Sequence, residues 1–178
     1  MSPEAVVQEV LRWSEDFVET PHPIFGGLPV CPFARAARLR DSIRFEVLEF
    51  DADDPLDADG DLMALVAGFA GDPADGGAET LFVVHPRRDA MTPEALERFV
   101  ARLNQRMRAA ADLAGLVAFE AHPASDFQVG GVRTRRGPYP SFQVLSQARL
   151  KETSDTLKSS GYYDRFTPQM LRAVGMPR

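Results

Sequence analysis

Three strand-like segments alternate with two amphipathic helical patterns, and this order constrains the fold more than any other feature of the chain. Residues 43–50 alternate apolar and polar side chains as a half-buried strand does, and Thr80–Val84 and Leu116–Ala121 are apolar runs typical of buried strands. Between these strands, residues 62–69 and 93–113 space their apolar side chains as amphipathic helices do. Two consecutive strand–helix–strand units predict an α/β (or α+β) fold, with a small central sheet of three or more strands covered by helices.

The remaining segments divide into helix starts and loops. Ser2-Pro3-Glu4 and Thr92-Pro93-Glu94 each place a capping hydroxyl, a proline and an acid in the order that begins a helix. Two closing helices are predicted over residues 142–157 and 168–174. Residues 123–140 contain three glycines and three prolines, so they are predicted to form a long loop of the kind that often carries function. The whole chain, 1–178, is expected to form a single domain.

Composition excludes several classes of protein. The net charge of −6 argues against a general nucleic-acid binder, which needs a basic face. One cysteine excludes an intramolecular disulfide, and no apolar stretch is long enough for a membrane span or arranged as a signal peptide, so a cytoplasmic protein is expected. The acidic clusters at 51–61 and 72–75 are expected to be solvated loops rather than paired catalytic carboxylates.

The three histidines each precede a proline, and two of them follow predicted strands. His85 and His122 end the second and third strands, where ligands of α/β sheets tend to bind. His122 also enters the long glycine-containing loop, so it is the candidate for a direct ligand, whereas His85 is expected to hydrogen-bond a nearby carbonyl. His22, in a loop beside the first helix, is expected to be structural.

The segment Cys31-Pro32-Phe33-Ala34 is the second candidate for chemistry. A lone cysteine is usually a small buried apolar residue. At the start of a short helix, with Arg35 and Arg38 nearby, its thiol pKa would instead be lowered. Both interpretations stay open here. No clustered zinc ligands, Walker A loop, GxGxxG, HExxH or GxSxG motif is present.

Several short motifs together resemble a known group of proteins. They are Trp13, Cys31-Pro32-Phe33-Ala34, His122-Pro123, Phe127-x-x-Gly130 and Gly137-Pro138-Tyr139-Pro140. This combination resembles an uncharacterised bacterial family with a CPFA loop, an HP-x-x-x-F-x-x-G stretch and an S-P-Y-P segment, in which Gly137 stands where serine is usual. More distantly, it is similar to the small haem proteins typified by the arginine N-hydroxylase of cycloserine biosynthesis.

The resemblance implies a non-covalently bound haem b. It makes His122 the axial iron ligand, leaving the opposite axial position for oxygen. The arginines of the short basic run, Arg133, Arg135 and Arg136, would then pair with the haem propionates. The remaining cofactor-binding residues would be Phe127, Tyr139, Phe142, Cys31 and Phe33.

The function expected from this resemblance is a haem-dependent oxygenase that acts on an amino acid or a related amine, with N-oxygenation as its reaction. The alternative is a non-catalytic module that binds haem or a small anion, the anion through Arg133, Arg135 and Arg136. The arginine run could equally be a solvated loop. The partner expected is a small-molecule substrate, and a homodimer is left open.

Overall fold

In the computed structural model, which describes residues 1–70 and 77–175, a four-stranded mixed sheet carries helices on both faces. The helices and strands are α1 (Pro3–Trp13), α2 (Ala34–Leu39), β1 (Ile43–Val47), α3 (Asp61–Ala70), β2 (Thr80–Val84), α4 (Pro93–Ala109), β3 (Leu116–Ala121), β4 (Ser141–Ser146), α5 (Gln147–Leu157) and α6 (Pro168–Ala173). A π-helical turn, Ser14–Val18, extends α1, and a short 3₁₀ turn covers Pro23–Phe25.

The strands are ordered β1-β2-β4-β3 across the sheet. β1 and β2 are parallel, whereas β4 is antiparallel to both of its neighbours. β2 and β3 therefore point the same way with β4 between them, and both end at the same edge of the sheet. This arrangement confirms the predicted α/β class.

Helices α3 and α4 cover one face of the sheet and form the main core. The α4 helix begins at the Thr92 cap, whose hydroxyl accepts the Ala95 N–H at 3.2 Å, and it ends where Ala110 becomes extended. Asn104 on α4 bonds both the N–H and the carbonyl of Ala118, at 2.8 and 2.9 Å, which fixes the helix against the edge strand β3. The fully buried side chains of this core include Val66, Leu81, Val83, Leu96, Phe99, Leu103, Met107 and Val144.

The opposite face of the sheet is covered unevenly. Helix α1 packs Val6 and Val10 against Val84 and the buried Tyr139. The Tyr139 hydroxyl donates to the Glu9 carboxylate at 2.6 Å, which fastens the long loop to α1. Farther along this face, the segments around α2 and α5 stand away from the sheet and leave a cavity.

Most of the predicted elements agree with the structure. Thr80–Val84 and Leu116–Ala121 are strands as predicted, and the caps at Ser2 and Thr92 are formed. β1 ends at Val47 rather than at residue 50, and α4 ends at Ala109 rather than at residue 113. Of the loop predicted at 71–77, residues 71–76 lie outside the described part of the chain, and so do the acids at 72–75.

The helix predicted over residues 142–157 is wrong in its first part. Ser141–Ser146 is the central antiparallel strand β4, and only Gln147–Leu157 is helical. β4 runs directly into α5 with no turn between them, so its apolar residues Phe142 and Leu145 merge with the following helical pattern. Ser146 marks the true boundary, since its hydroxyl caps α5 by accepting the Arg149 N–H.

Candidate ligand-binding site

A cavity of about 500 Å³ lies between the sheet and the helices α1, α2 and α5. Its volume is within the roughly 300–1,000 Å³ range of small-molecule sites. Most of its lining side chains are apolar or aromatic. The site is therefore suited to a compact organic molecule rather than to a lone ion.

The floor of the cavity is one row of side chains across all four strands. The strand register aligns Phe45 of β1 with Phe82 of β2, Phe82 with Gln143 of β4, and Gln143 with Phe119 of β3. The rings of Phe45 and Phe82 are 5.5 Å apart and tilted. A single amide therefore interrupts an otherwise aromatic row.

Gln143 occupies the centre of this floor because β4 is an inner strand of the sheet. Within residues 1–70 and 77–175, its amide makes no hydrogen bond to another side chain or to the backbone. The amide carries two donors and an acceptor, and its nitrogen and oxygen are open to the cavity, since no buried side-chain polar atom of the described residues lacks a partner. A molecule that fills the cavity and displaces solvent from the amide would need a polar group to pair with it.

The wall opposite the sheet begins with Trp13 and the π-helical turn that follows it. Single π turns are frequent at functional sites. Val18 in this turn accepts the Cys31 N–H at 3.1 Å, which holds the Cys31-Pro32-Phe33 loop along the cavity. Both Cys31 and Phe33 line the cavity.

The Cys31 thiol is not activated. Burial raises its pKa above the ordinary value, and this effect outweighs the N–H groups of Phe33 and Ala34 that favour the thiolate. The Glu19 carboxylate raises the pKa further. Of the two interpretations of Cys31, the direction of this pKa change favours the small buried apolar residue over the activated thiol. Cys31 forms part of the wall as a neutral thiol.

Two tyrosines from the C-terminal part of the chain complete this wall. Tyr162 is buried, donates its hydroxyl to the Val30 carbonyl and stacks on Phe25 at 5.4 Å. Tyr163 lines the cavity beside it. Burial raises the pKa of both phenols, so both are neutral at physiological pH.

Arg38 on α2 lies at the cavity wall but is held by carboxylates outside the lining. Its guanidinium bonds both oxygens of Glu19, at 2.9 and 2.8 Å, and also pairs with Glu15 at 2.8 Å. The Glu19 side chain is only 5% exposed, whereas that of Glu15 is 48% exposed. Hydrogen bonds from Arg38, and then from Ser14, lower the pKa of Glu19 below 4.5.

The ion pair between Arg38 and Glu19 should make the stability of the protein depend on pH. At neutral pH, Glu19→Gln should lower the free energy of unfolding by about 1–3 kcal/mol, because Arg38 loses its buried partner. The folded pKa of Glu19 is depressed, so its contribution is complete above pH 4.5 and disappears as pH falls through the folded value. Urea unfolding over an acid series should show the two proteins converging at low pH.

Glu15→Gln is the matched control, since Glu15 pairs with the same arginine from an exposed position. Its effect should stay below about 0.5 kcal/mol. Equal losses of unfolding free energy in the two variants would contradict this prediction. So would a difference between the wild type and Glu19→Gln that does not become smaller as the pH falls.

The predicted anion-binding arginines do not converge. Arg135 lines the cavity, pairs with Glu120 and lies over the Phe127 ring at 4.3 Å. Arg133 is turned outward toward Asp126, at 3.6 Å.

Arg136 is likewise directed away, donating to the Pro123 carbonyl at 2.9 Å. Neither Arg133 nor Arg136 lines the cavity. A shared anion site on the three arginines is therefore absent from this arrangement.

His122 also lies outside the cavity lining. It is 5% exposed at the end of β3, and both ring nitrogens are engaged with the backbone. Nδ1 accepts the Ala124 N–H at 3.0 Å, and Nε2 lies 2.9 Å from the Met91 carbonyl, to which it donates. The ring thus fastens the start of the long loop to the start of α4.

His85 is similarly occupied in the structure. Its Nδ1 accepts the Arg87 N–H at 3.1 Å, and its ring meets Phe50 edge-on at 5.4 Å. Burial lowers its pKa, so the imidazole is neutral. The two histidines end β2 and β3 at one edge of the sheet, but β4 separates them and they do not share a pocket.

The aromatic residues expected around a porphyrin are dispersed. The Tyr139 ring is buried behind α1, and the Phe127 ring packs beneath Arg135. Phe142 borders the cavity, but its ring contacts Phe50 and Phe99 in the core under α4.

The residues present do not fit a histidine-ligated haem in this cavity. The lining that the described residues form contains no histidine, and His122 would have to break its bond to Met91 and leave its position. Within residues 1–70 and 77–175, no group of three or more His, Cys, Asp or Glu side chains is placed to hold a metal ion. Haem binding and N-oxygenation stay predictions of the sequence resemblance.

Sequence reasoning missed Gln143 and Arg149, both of which line the cavity. Both fell inside the helix predicted over residues 142–157. The signal that could have revealed Gln143 is its position as a polar residue among Phe142, Val144 and Leu145, which is costly in a buried strand unless a partner is supplied.

Comparison with protein-family models, with curated proteins and with solved structures found no match for this chain. No helix in the described ranges has the length and apolar character needed to cross a membrane.

Proposed function

We propose that this protein binds a small, mainly apolar organic molecule in the cavity between the sheet and helices α1, α2 and α5. The observation that carries the proposal is the aromatic floor with one unpaired amide at its centre, Gln143. Apolar pockets with a few placed polar groups are the usual form of a small-molecule site, in which the polar group fixes the orientation of the ligand.

The packing on the two faces of the sheet supports this proposal. The face under α3 and α4 is filled by closely packed side chains, as protein interiors usually are. The other face leaves about 500 Å³ beside partly buried aromatic rings. Forming an unfilled apolar cavity forfeits stability, and a ligand that fills it would recover part of that free energy.

The test uses N-phenyl-1-naphthylamine, an uncharged dye whose emission rises in apolar surroundings. Trp13 is the single tryptophan of the chain and lines the cavity, so it reports locally on occupancy. We expect the dye to brighten and the Trp13 emission to fall with the same dissociation constant. Protein unfolded in urea should show neither change.

Two results would overturn the proposal. The first is no brightening of the dye in the presence of folded protein. The second is brightening without any loss of Trp13 emission, which would place the dye on another surface.

A further inference from the structure

Among the described residues, four of the six charged side chains that line the cavity are arginines, although the chain as a whole carries a net charge of −6. The lining includes four arginines and two glutamates: Arg38, Arg40, Arg135, Arg149, Glu79 and Glu120. Arg38 is matched by Glu15 and Glu19, which lie outside the lining, and Arg135 is matched by Glu120. Arg40 and Arg149 are the two arginines of the lining that share a single carboxylate, Glu79.

These two arginines converge on one carboxylate. Arg40, the residue after α2, donates to one oxygen of Glu79 at 2.9 Å, and Arg149 on α5 donates to the other oxygen at 2.5 Å. Glu79 immediately precedes β2, so the three side chains join the sheet to both helices across the cavity. One carboxylate balances two guanidinium groups, which leaves one unit of positive charge.

This cluster lies where the cavity opens to solvent. The side chains of Arg40 and Arg149 are 58% and 52% exposed while lining the cavity. Along β2, Thr80 lies between Glu79 and Phe82 and also lines the cavity. A molecule seated on the aromatic floor would therefore place its outer end beside these two arginines.

We infer that the ligand of the cavity is an organic anion, with an apolar body on the Phe45, Phe82 and Phe119 rings and one acidic group held by Arg40 and Arg149. Guanidinium groups bind oxyanions with directional, charge-assisted hydrogen bonds, and the two arginines already hold the oxygens of a carboxylate. The inference rests on the proposed function, because it specifies the ligand class of the same cavity.

The test compares two dyes that share the same aromatic ring system. N-phenyl-1-naphthylamine is neutral, whereas 8-anilinonaphthalene-1-sulfonate adds an acidic group to the same rings. We expect the folded protein to bind the sulfonate more tightly, and the preference to fall as salt is added, because exposed charges are screened.

Two variants make the comparison specific to the cluster. Glu79→Gln removes the competing carboxylate and should raise affinity for the sulfonate roughly threefold, whereas Arg149→Gln should lower it by a similar factor. The readout is the ratio of the dissociation constants for the two dyes, so a general effect of either change on the cavity cancels. Circular dichroism of each variant establishes that it is folded.

The outcomes separate this inference from the proposed function. If the neutral dye binds but neither variant changes the preference for the sulfonate, the anion inference is wrong and the cavity remains a binding site for neutral molecules. Failure of both dyes to bind would overturn the proposed function and the inference together.

Discussion

Phe142→Ala should lower the free energy of unfolding by about 3–5 kcal/mol, which is a large part of the stability of a domain this size. Phe142 is 1% exposed on the inner strand β4. Its ring lies 5.4 Å from that of Phe50 and 5.7 Å from that of Phe99. Its removal therefore leaves a void in tightly packed surroundings. Urea unfolding monitored by circular dichroism measures the loss.

Phe82→Ala is the matched control on the other face of the sheet. Phe82 lies on the neighbouring strand β2, but its ring faces the cavity, where fewer contacts are lost. We expect a cost of about 1–2 kcal/mol. If Phe142→Ala does not fold, the pair Phe142→Leu and Phe82→Leu keeps the comparison measurable. Equal costs on the two faces would mean that the cavity side is packed as tightly as the helix side.

Local sequence signals predicted the parts of the fold that depend on local chemistry. The Thr92-Pro93-Glu94 start and the apolar run Thr80–Val84 need only their own residues to be recognised, and both are confirmed. β4 could not be recognised in this way. Its place between β2 and β3 is decided by long-range pairing, and α5 follows it without a turn that would mark the end of a strand.

Local sequence signals located part of the candidate site but could not show which of its side chains are free to bind. Cys31 and Phe33 were singled out from a short motif, and the structure places both on the cavity wall. His122 was singled out from its position after a strand, but position does not show whether ring nitrogens are free. Its bonds to Ala124 and Met91 join segments far apart in sequence, so only the folded chain shows that the imidazole is occupied.

Ala37→Trp should weaken binding of N-phenyl-1-naphthylamine roughly tenfold or more, because the indole would occupy the space that the dye needs. Ala37 lies on α2 with its side chain on the cavity wall. The matched control is Ala36→Trp, an exposed position on the same helix that does not line the cavity. Circular dichroism and thermal unfolding establish that both variants are folded.

The most direct measurement of the central claim is therefore a titration of the three folded proteins with this dye, excited directly so that the added tryptophans do not interfere. A small-molecule site between the sheet and helices α1, α2 and α5 requires that the wild type and Ala36→Trp bind alike while Ala37→Trp loses affinity. Equal affinity in all three proteins would contradict it, because the dye would then bind somewhere other than the cavity.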